Sequence, residues 1–184
     1  MKKILVYPNK ILRKKTNIVE KVDTNLIKEI EILKKQLIAA ENGAGLAAPQ
    51  IGISKRFFGI KDENKKIKVI VNPKIKLTFG EKTFPVMVDE KGNSEDFLEG
   101  CLSFPNYWGT VKRWLKIKVE WQELIDKKLV SKSEKLDGFR AIVWQHESDH
   151  LDGIVFVDHI KEDKGKFFKS VEGKMVKWNI NMII

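Results

Sequence analysis

Apolar residues recur at steps of three and four between Leu26 and Ala40, which is the spacing of one face of an α-helix. Asp23 or Thr24 can cap the start of this helix by accepting from its first free backbone N–H groups. The run Glu41-Asn42-Gly43 suits its end, because Asn and Gly tolerate the left-handed conformation. The pattern therefore predicts an amphipathic helix near the start of the chain.

A second run with helical spacing follows Asp137-Gly138 and stops at Gly153. It combines apolar residues with two histidines, so it predicts a helix with a polar site on one face. The stretch from Glu162 to Trp178 is rich in lysine. We expect a third helix there, weakened at its two glycines.

Between the helices, alternating or apolar segments predict strands of an antiparallel or mixed sheet at Arg56 to Ile60, Lys68 to Val71, Lys74 to Phe79 and Lys116 to Trp121. Pro73 is expected to separate two of these strands, because proline cannot donate to a strand ladder. The polar segment 89–96 is expected to form a loop. Asp126-Lys127-Lys128 is expected to form a turn before another strand.

The 184 residues suit one domain, and no repeat or linker divides them, so we expect a single domain spanning 1–184. There is no run of about 18 apolar residues and no signal peptide, which predicts a cytoplasmic protein without membrane contact. The net charge of +10 arises from 35 Lys and Arg against 25 Asp and Glu. These lysines are spread along the chain without a nucleic-acid-binding motif, which favours a solvated surface and no DNA partner.

The segment His146-Glu147-Ser148-Asp149-His150 lies in the second predicted helix. Residues four apart share a helix face, so His146 and His150 can bind one metal ion while Glu147 holds a water on it. Such a water loses its proton near neutral pH and becomes a nucleophile. The alternative is a pair of ordinary helix histidines, and the pentapeptide alone favours the metal by about three to one.

A catalytic site of this kind takes three protein ligands and keeps one position open. Cys101, in Glu99-Gly100-Cys101-Leu102-Ser103, is the single cysteine and the only soft ligand that can complete the set. Alone, it would more often be a small buried apolar residue. A third segment, Gly43 to Gln50, allows close backbone approach but lacks the third glycine of a nucleotide-binding loop.

Three segments of the chain, taken in order, resemble the motifs of peptide deformylases: Gly43-Ala44-Gly45-Leu46-Ala47-Ala48-Pro49-Gln50, Glu99-Gly100-Cys101-Leu102-Ser103 and Gln145-His146-Glu147-Ser148-Asp149-His150-Leu151-Asp152-Gly153. The resemblance also takes in Arg113 and spans about residues 8 to 160. It implies an α+β fold, with antiparallel or mixed sheets around a central helix that carries the paired histidines. It further implies an enzyme that removes the N-formyl group from the N-terminal methionine of nascent polypeptides.

The same resemblance implies a metal site with a general base beside it. Cys101, His146 and His150 would bind one divalent metal per chain, usually ferrous iron, with zinc, nickel or cobalt as substitutes. Glu147 would act as the general base and then as the acid that protonates the leaving amine.

The resemblance also implies residues that bind the substrate and its transition state. Gln50 would more often be a surface amide, but here it and the backbone N–H of Leu102 would stabilise the oxyanion. Gly45 would pair its backbone with the extended substrate. A methionine pocket would be lined by residues for which ordinary core packing is an equal alternative, namely Ala44, Phe97, Phe139, Ile142 and Val143.

Two other functions are compatible with parts of the sequence. A metalloprotease would use a downstream third ligand, and the only downstream histidine, His159, is expected to be structural. A non-catalytic module could bind RNA through its basic surface, but every catalytic group named above is present. The expected partners are therefore N-formylmethionyl peptides and, in a transient contact through the stretch Lys161 to Lys177, the ribosome.

Overall fold

The computed structural model describes residues 3–183, which form three α-helices and eleven β-strands. Short 3₁₀ helices cover Lys10–Arg13, Ala48–Ile51 and Ile180–Met182. Within residues 3–183, no helix has the length and apolar character needed to cross a membrane. In chain order the main elements are α1 (Thr24–Ala39), β1 (Gly45–Ala47), β2 (Phe57–Lys61), β3 (Ile67–Thr83), β4 (Val86–Val88), β5 (Ser94–Asp96), β6 (Glu99–Cys101), β7 (Phe104–Gly109), β8 (Arg113–Ile125), β9 (Lys128–Asp137), α2 (Gly138–Leu151), α3 (Phe156–Glu162), β10 (Phe167–Val171) and β11 (Lys174–Lys177).

In this part of the chain the strands form three antiparallel sheets. The largest has the order β1-β2-β3-β8-β9, the second β11-β10-β7-β6, and the third is the pair β4-β5. Helix α2 packs against β1, β2, β8 and β9, and α3 contacts β6. The expected α+β fold is therefore confirmed, with α2 as the central helix that carries both histidines.

Helix α1 forms where its apolar spacing predicts. The Asp23 side chain accepts a hydrogen bond of 2.8 Å from the Leu26 N–H and so caps the first turn. The helix ends at Ala39, just before the turn that precedes β1. Its buried face, which packs on β1, β2 and β3, consists of Leu26, Ile30, Leu33, Gln36 and Leu37.

Helix α2 begins at Gly138 and ends at Leu151, close to the predicted limits. Asp137 is the N-cap residue by position, although its side chain makes no capping hydrogen bond within the described chain. Gly153 adopts a φ of +74°, and a Cβ there would lie 2.7 Å from the Arg13 carbonyl. The helix is buried on more than one side, through Ala141, Ile142, Trp144, Gln145, His146, Glu147, His150 and Leu151.

The expectation that Pro73 separates two strands is wrong, because β3 runs without a break from Ile67 to Thr83. Its pairing with β8 shifts register between Val71 and Lys74, and Asn72 between them adopts a φ of +51°. Proline is tolerated at such a bulge because the residue there need not donate to the ladder. The Asn72 side chain holds the bulge by donating to the Val19 carbonyl at 2.8 Å.

The segment 89–96 is not wholly a loop, since β4 and β5 pair through it as a hairpin. Only Asp89 to Asn93 forms the connection, and the Asp89 carboxylate accepts from the backbone N–H groups of Lys91 and Asn93. The sequence pattern does not predict these strands, because all three residues of β4 are exposed and no alternation of buried and exposed positions arises.

The predicted lysine-rich helix from Glu162 to Trp178 is also wrong. Helix α3 ends at Glu162, and the chain then forms the hairpin of β10 and β11. Glu172 and Gly173 link the two strands with φ values of +50° and +78°, which is the left-handed pair that suits a tight hairpin. Strand β10 pairs with β7, so the hairpin extends the sheet that ends in β6.

Candidate active site

Two helix side chains and one strand side chain converge at a single point. His146 and His150 project from the same face of α2, and Cys101 ends β6. One ligand atom of each lies within 4.8 Å of the others, and Cys101 Sγ is 3.2 Å from His150 Nε2. The set of one thiol and two imidazoles is the donor set of a tetrahedral divalent metal with an open position.

The charges at this point favour the metal-binding form of the thiol. Burial alone would raise the pKa of Cys101, but the neighbouring imidazoles of His150 and His146 outweigh burial and lower it to about 5. Burial would lower the pKa of His146, yet its hydrogen bonds to Cys101 and Glu99 raise it well above its usual range. A thiolate is the form in which cysteine binds metals, and a divalent ion would displace the proton that His146 otherwise holds, so the donor set fits such an ion.

Glu147 follows the first histidine and lies in the interior beside the same point. Its side chain is 4% exposed, and its Oε2 has no hydrogen-bond partner within the described chain. Burial raises the pKa of Glu147 to about 7, although the imidazoles of His146 and His150 oppose the rise. A carboxyl with such a pKa can accept and return a proton near neutral pH.

Gly45 on β1 makes room for that carboxylate. A Cβ at this position would lie 2.5 Å from Glu147 Oε1 and 2.7 Å from Glu147 Cγ, which is closer than real side chains approach. Among residues 3–183, strand β1 is also an edge strand of the five-stranded sheet and pairs with β2 alone. Its backbone therefore runs beside the site with one side free of sheet pairing.

Gln50 is buried, not a surface amide, and its orientation is fixed. Its Oε1 accepts from the Ala47 N–H at 2.8 Å, so its Nε2 points the other way. The Nε2 donates to Ser103 Oγ at 3.1 Å and lies 3.6 Å from Cys101 Sγ. Leu102 occupies the turn directly after Cys101, which brings its backbone beside the same thiol.

A buried ion pair supports the first histidine, and sequence reasoning gave it no role. Glu99 Oε1 lies 3.1 Å from His146 Nδ1, and both Glu99 oxygens accept from Arg113, at 2.9 Å from Nε and 2.8 Å from Nη2. Burial raises the pKa of Glu99, but the Arg113 charge holds it far below its usual range. The carboxylate can thus fix the ring and tautomer of His146.

Three of the expected pocket residues, Phe139, Ile142 and Val143, lie in α2 itself. The rings of Phe97 and Phe139 meet edge to face with centroids 6.0 Å apart. Phe139, in the first turn of α2, is 55% exposed, whereas Ile142 is buried and only 4% exposed. Ala44, directly before β1, and Val143 are half-buried.

His159 lies on α3, and its Nε2 is 2.9 Å from Asp149 Oδ2. Within residues 3–183, the cluster of His, Cys, Asp and Glu that could hold a metal contains Cys101, His146 and His150 but not His159. The ligand set of the protease alternative is therefore not assembled in this part of the chain.

The chain matches the family model described as polypeptide deformylase over residues 1–166. It is 39% identical over 155 residues to a peptide deformylase of Desulforudis audaxviator, which covers 84% of this chain and 90% of the relative. The crystal structure of peptide deformylase from Thermotoga maritima superimposes with a TM-score of 0.73 at 36% identity, covering 86% of this chain and 97% of that one. A peptide deformylase from Synechococcus elongatus, in complex with actinonin, gives a TM-score of 0.71 at 31% identity over 85% of this chain and 76% of that one. With its site assembled as described, the chain belongs to the peptide deformylase family, the metal-dependent hydrolases that remove the N-formyl group from nascent chains.

Proposed function

We propose that Cys101, His146 and His150 hold one divalent metal and that Glu147 is the proton-transfer group of deformylation. The observation that carries this proposal is the convergence of the three ligand atoms within 4.8 Å, beside a buried carboxylate whose Oε2 has no hydrogen-bond partner among residues 3–183. A metal bound there supplies a Lewis acid and makes a coordinated water easier to deprotonate. The protease alternative lacks the corresponding support, since it needs a ligand downstream of α2.

Glu147 carries the proton in both halves of the reaction. Its carboxylate takes the proton from the attacking water, and its pKa of about 7 lets it return that proton to the leaving amine. The water-poor setting of the side chain, at 4% exposure, keeps the proton from exchanging with bulk solvent during the transfer.

Two donors, from Gln50 and Leu102, would stabilise the oxygen that gains charge as the formyl carbon becomes tetrahedral. The Gln50 Nε2–H group is aimed at the metal-binding thiol because Ala47 holds the other side of the amide. The Leu102 backbone N–H would supply the second donor. Each donor of this kind is worth about 3–4 kcal/mol of the barrier in enzymes where it has been removed.

The substrate would enter as an extended chain. We assign Gly45 to pairing with the substrate backbone, because β1 is an edge strand and an extended peptide can pair along the side that faces away from β2. The methionine side chain would then lie on an apolar surface made by Ala44, Phe97, Phe139, Ile142 and Val143. The exposed ring of Phe139, held against Phe97, offers the open end of that surface.

Ferrous iron is the metal we propose, with zinc, nickel or cobalt as substitutes. Protein purified without oxygen should carry about one iron per chain and release formate from a formyl-Met peptide. A chelator should abolish the release, and ferrous iron should restore it. Metal analysis and a formate assay on the same samples test the proposal. Full activity after the metal is stripped, or recovery with zinc but not with iron, would contradict it.

We also propose that residues 1–184 act as one catalytic domain in the cytoplasm, where formylated nascent chains are made. The hairpin of β10 and β11 supports a single domain, because β10 pairs with β7 in the sheet that contains Cys101. The buried Phe167 of β10 packs in one cluster with Phe104 and Phe156.

The same hairpin is our proposed contact with the ribosome. Lys174 and Lys177 on β11 are exposed and could meet RNA phosphates. Changing both to Glu should weaken co-sedimentation with ribosomes, and added salt should weaken it for the parent protein. The control changes two exposed residues to Glu, Lys127 in the β8–β9 turn and Lys128 at the start of β9, which alters the net charge equally. The contact would be ruled out if the amount of protein that co-sediments with ribosomes changed neither with added salt nor with the β11 substitutions.

A further inference from the structure

His159 has a contact that the catalytic roles leave unexplained. It lies on α3, its side chain is 13% exposed, and its Nε2 is 2.9 Å from Asp149 Oδ2. The same Asp149 oxygen accepts from Arg113 Nη1 at 2.6 Å. One carboxylate oxygen therefore accepts hydrogen bonds from α3 and β8 at once. Asp149 directly precedes the proposed metal ligand His150 in the sequence.

The contacts continue from Asp149 to the other histidine of the metal site. Arg113 donates through Nη1 to Asp149, and through Nε and Nη2 to both oxygens of Glu99. Glu99 Oε1 in turn lies 3.1 Å from His146 Nδ1. The side chain of Arg113 is 4% exposed and that of Glu99 is 6% exposed, so water cannot readily replace a lost member.

We propose that His159 is a positioning residue for the metal site, which acts through Asp149, Arg113 and Glu99 on the ring of His146. This inference rests on the proposed metal site. Asp149 is the member of the network most open to solvent, with a side chain 20% exposed. The hydrogen bond from His159 keeps it turned inward, where it orients the Arg113 guanidinium. The guanidinium then holds Glu99 in the position that fixes the His146 ring.

A purely structural role in attaching α3 is not needed. Phe156, Val157 and Ile160 hold that helix, and each has an exposed fraction of only 0–1%. Asp158 adds a hydrogen bond of 2.9 Å from the Val155 N–H. Loss of the imidazole would therefore leave α3 in place and remove one of the two donors that hold Asp149, the other being Arg113.

The experiment compares His159→Leu with His159→Gln in the full chain. Leucine removes the donor, whereas the glutamine amide can donate to Asp149 from nearly the same place. Binding of Co²⁺ is measured by chelator competition, and the visible absorption of the bound Co²⁺ reports the ligand geometry. The matched control is Arg56→Leu, which removes a long-range bidentate pair with Asp152, at 2.8 and 3.1 Å, just beyond the same helix α2.

We expect His159→Leu to weaken Co²⁺ binding by about tenfold, at the low end of the range for outer partners of metal ligands, and to change the absorption spectrum. His159→Gln and Arg56→Leu should stay near the parent in both measurements. Asp149→Asn should give the same spectral change, and adding His159→Leu to it should change little more, because both act on one path.

Three results would overturn the proposal. One is an unchanged affinity and spectrum in His159→Leu. The second is a glutamine variant that behaves like the leucine variant, which would mean that the donor is not what matters. The third is an equal loss in Arg56→Leu, which would make the effect a general consequence of loosening α2. If the deformylase function itself failed, formate release would be absent from the parent protein, whereas these measurements of Co²⁺ would still distinguish the variants.

Discussion

Replacing Glu147 with Ala should leave the metal in place and lower kcat by at least about a hundredfold. The carboxylate is the buried group that can take and return the proton, and a positioned general base is typically worth about 10²–10⁴-fold in rate. Its removal takes away none of Cys101, His146 and His150, whose ligand atoms lie within 4.8 Å of one another. Formate release and metal content, measured on the same sample, give the two readouts.

Two further variants separate proton transfer from damage to α2. Glu147→Gln keeps the volume that faces Gly45 but cannot carry the proton, so it should lose as much activity as the alanine variant. Ser148→Ala, at the next residue, should retain the activity of the parent, because Ser148 Oγ has no hydrogen-bond partner within the described chain. A Glu147→Ala protein that turned over near the parental rate would refute the assignment.

Replacing Cys101 with Ala should remove the metal and the activity together. Only His146 and His150 would remain, and two imidazoles without the thiolate make an incomplete site. We expect the affinity for the metal to fall by more than about a hundredfold, beyond the loss typical of outer partners. Metal analysis after dialysis and titration with Zn²⁺ measure the fall.

Cys101→Ser controls for packing at the end of β6. Serine nearly fills the space of cysteine but is a poor ligand for a soft site, so it should lose the metal as alanine does. Circular dichroism of both variants shows whether the fold survives the change. A full metal equivalent retained by Cys101→Ala would mean that another residue completes the site.

Sequence patterns are sufficient to predict the elements that depend on local spacing. Helix α1 and helix α2 follow from apolar steps of three and four, and α1 also from its Asp23 cap. The two histidines share a face for the same local reason. The partnership with Cys101 came from a motif in a distant strand, because helical spacing alone cannot say which strand will meet the helix.

The errors arise where pairing between strands decides the structure. Pro73 lies inside a continuous strand because the bulge at Asn72 removes the need for its missing donor. The C-terminal lysines suit a helix by composition, yet β7 offers an edge on which β10 can pair. Nothing in the local sequence reveals that edge.

The support of His146 was missed for a related reason. Glu99 and Arg113 are separated by 14 residues, and Arg113 and Asp149 by 36. Charged residues in a strand usually face solvent, so neither signals a buried pair. Only the packing of β6 and β8 around α2 excludes water from them.

The close approach of Gly45 to Glu147 makes the two positions epistatic. Alanine at 45 is excluded by the Glu147 side chain, whose Cγ and Oε1 would lie 2.7 and 2.5 Å from the added Cβ, and not by the backbone, since the φ of Gly45 lies outside the left-handed range. The harm that it does to folding should therefore shrink when Glu147 is replaced by Ala, which has no atom beyond Cβ. A mutational scan taken one position at a time would record Gly45 as intolerant, while a scan of pairs would trace that intolerance to its neighbour.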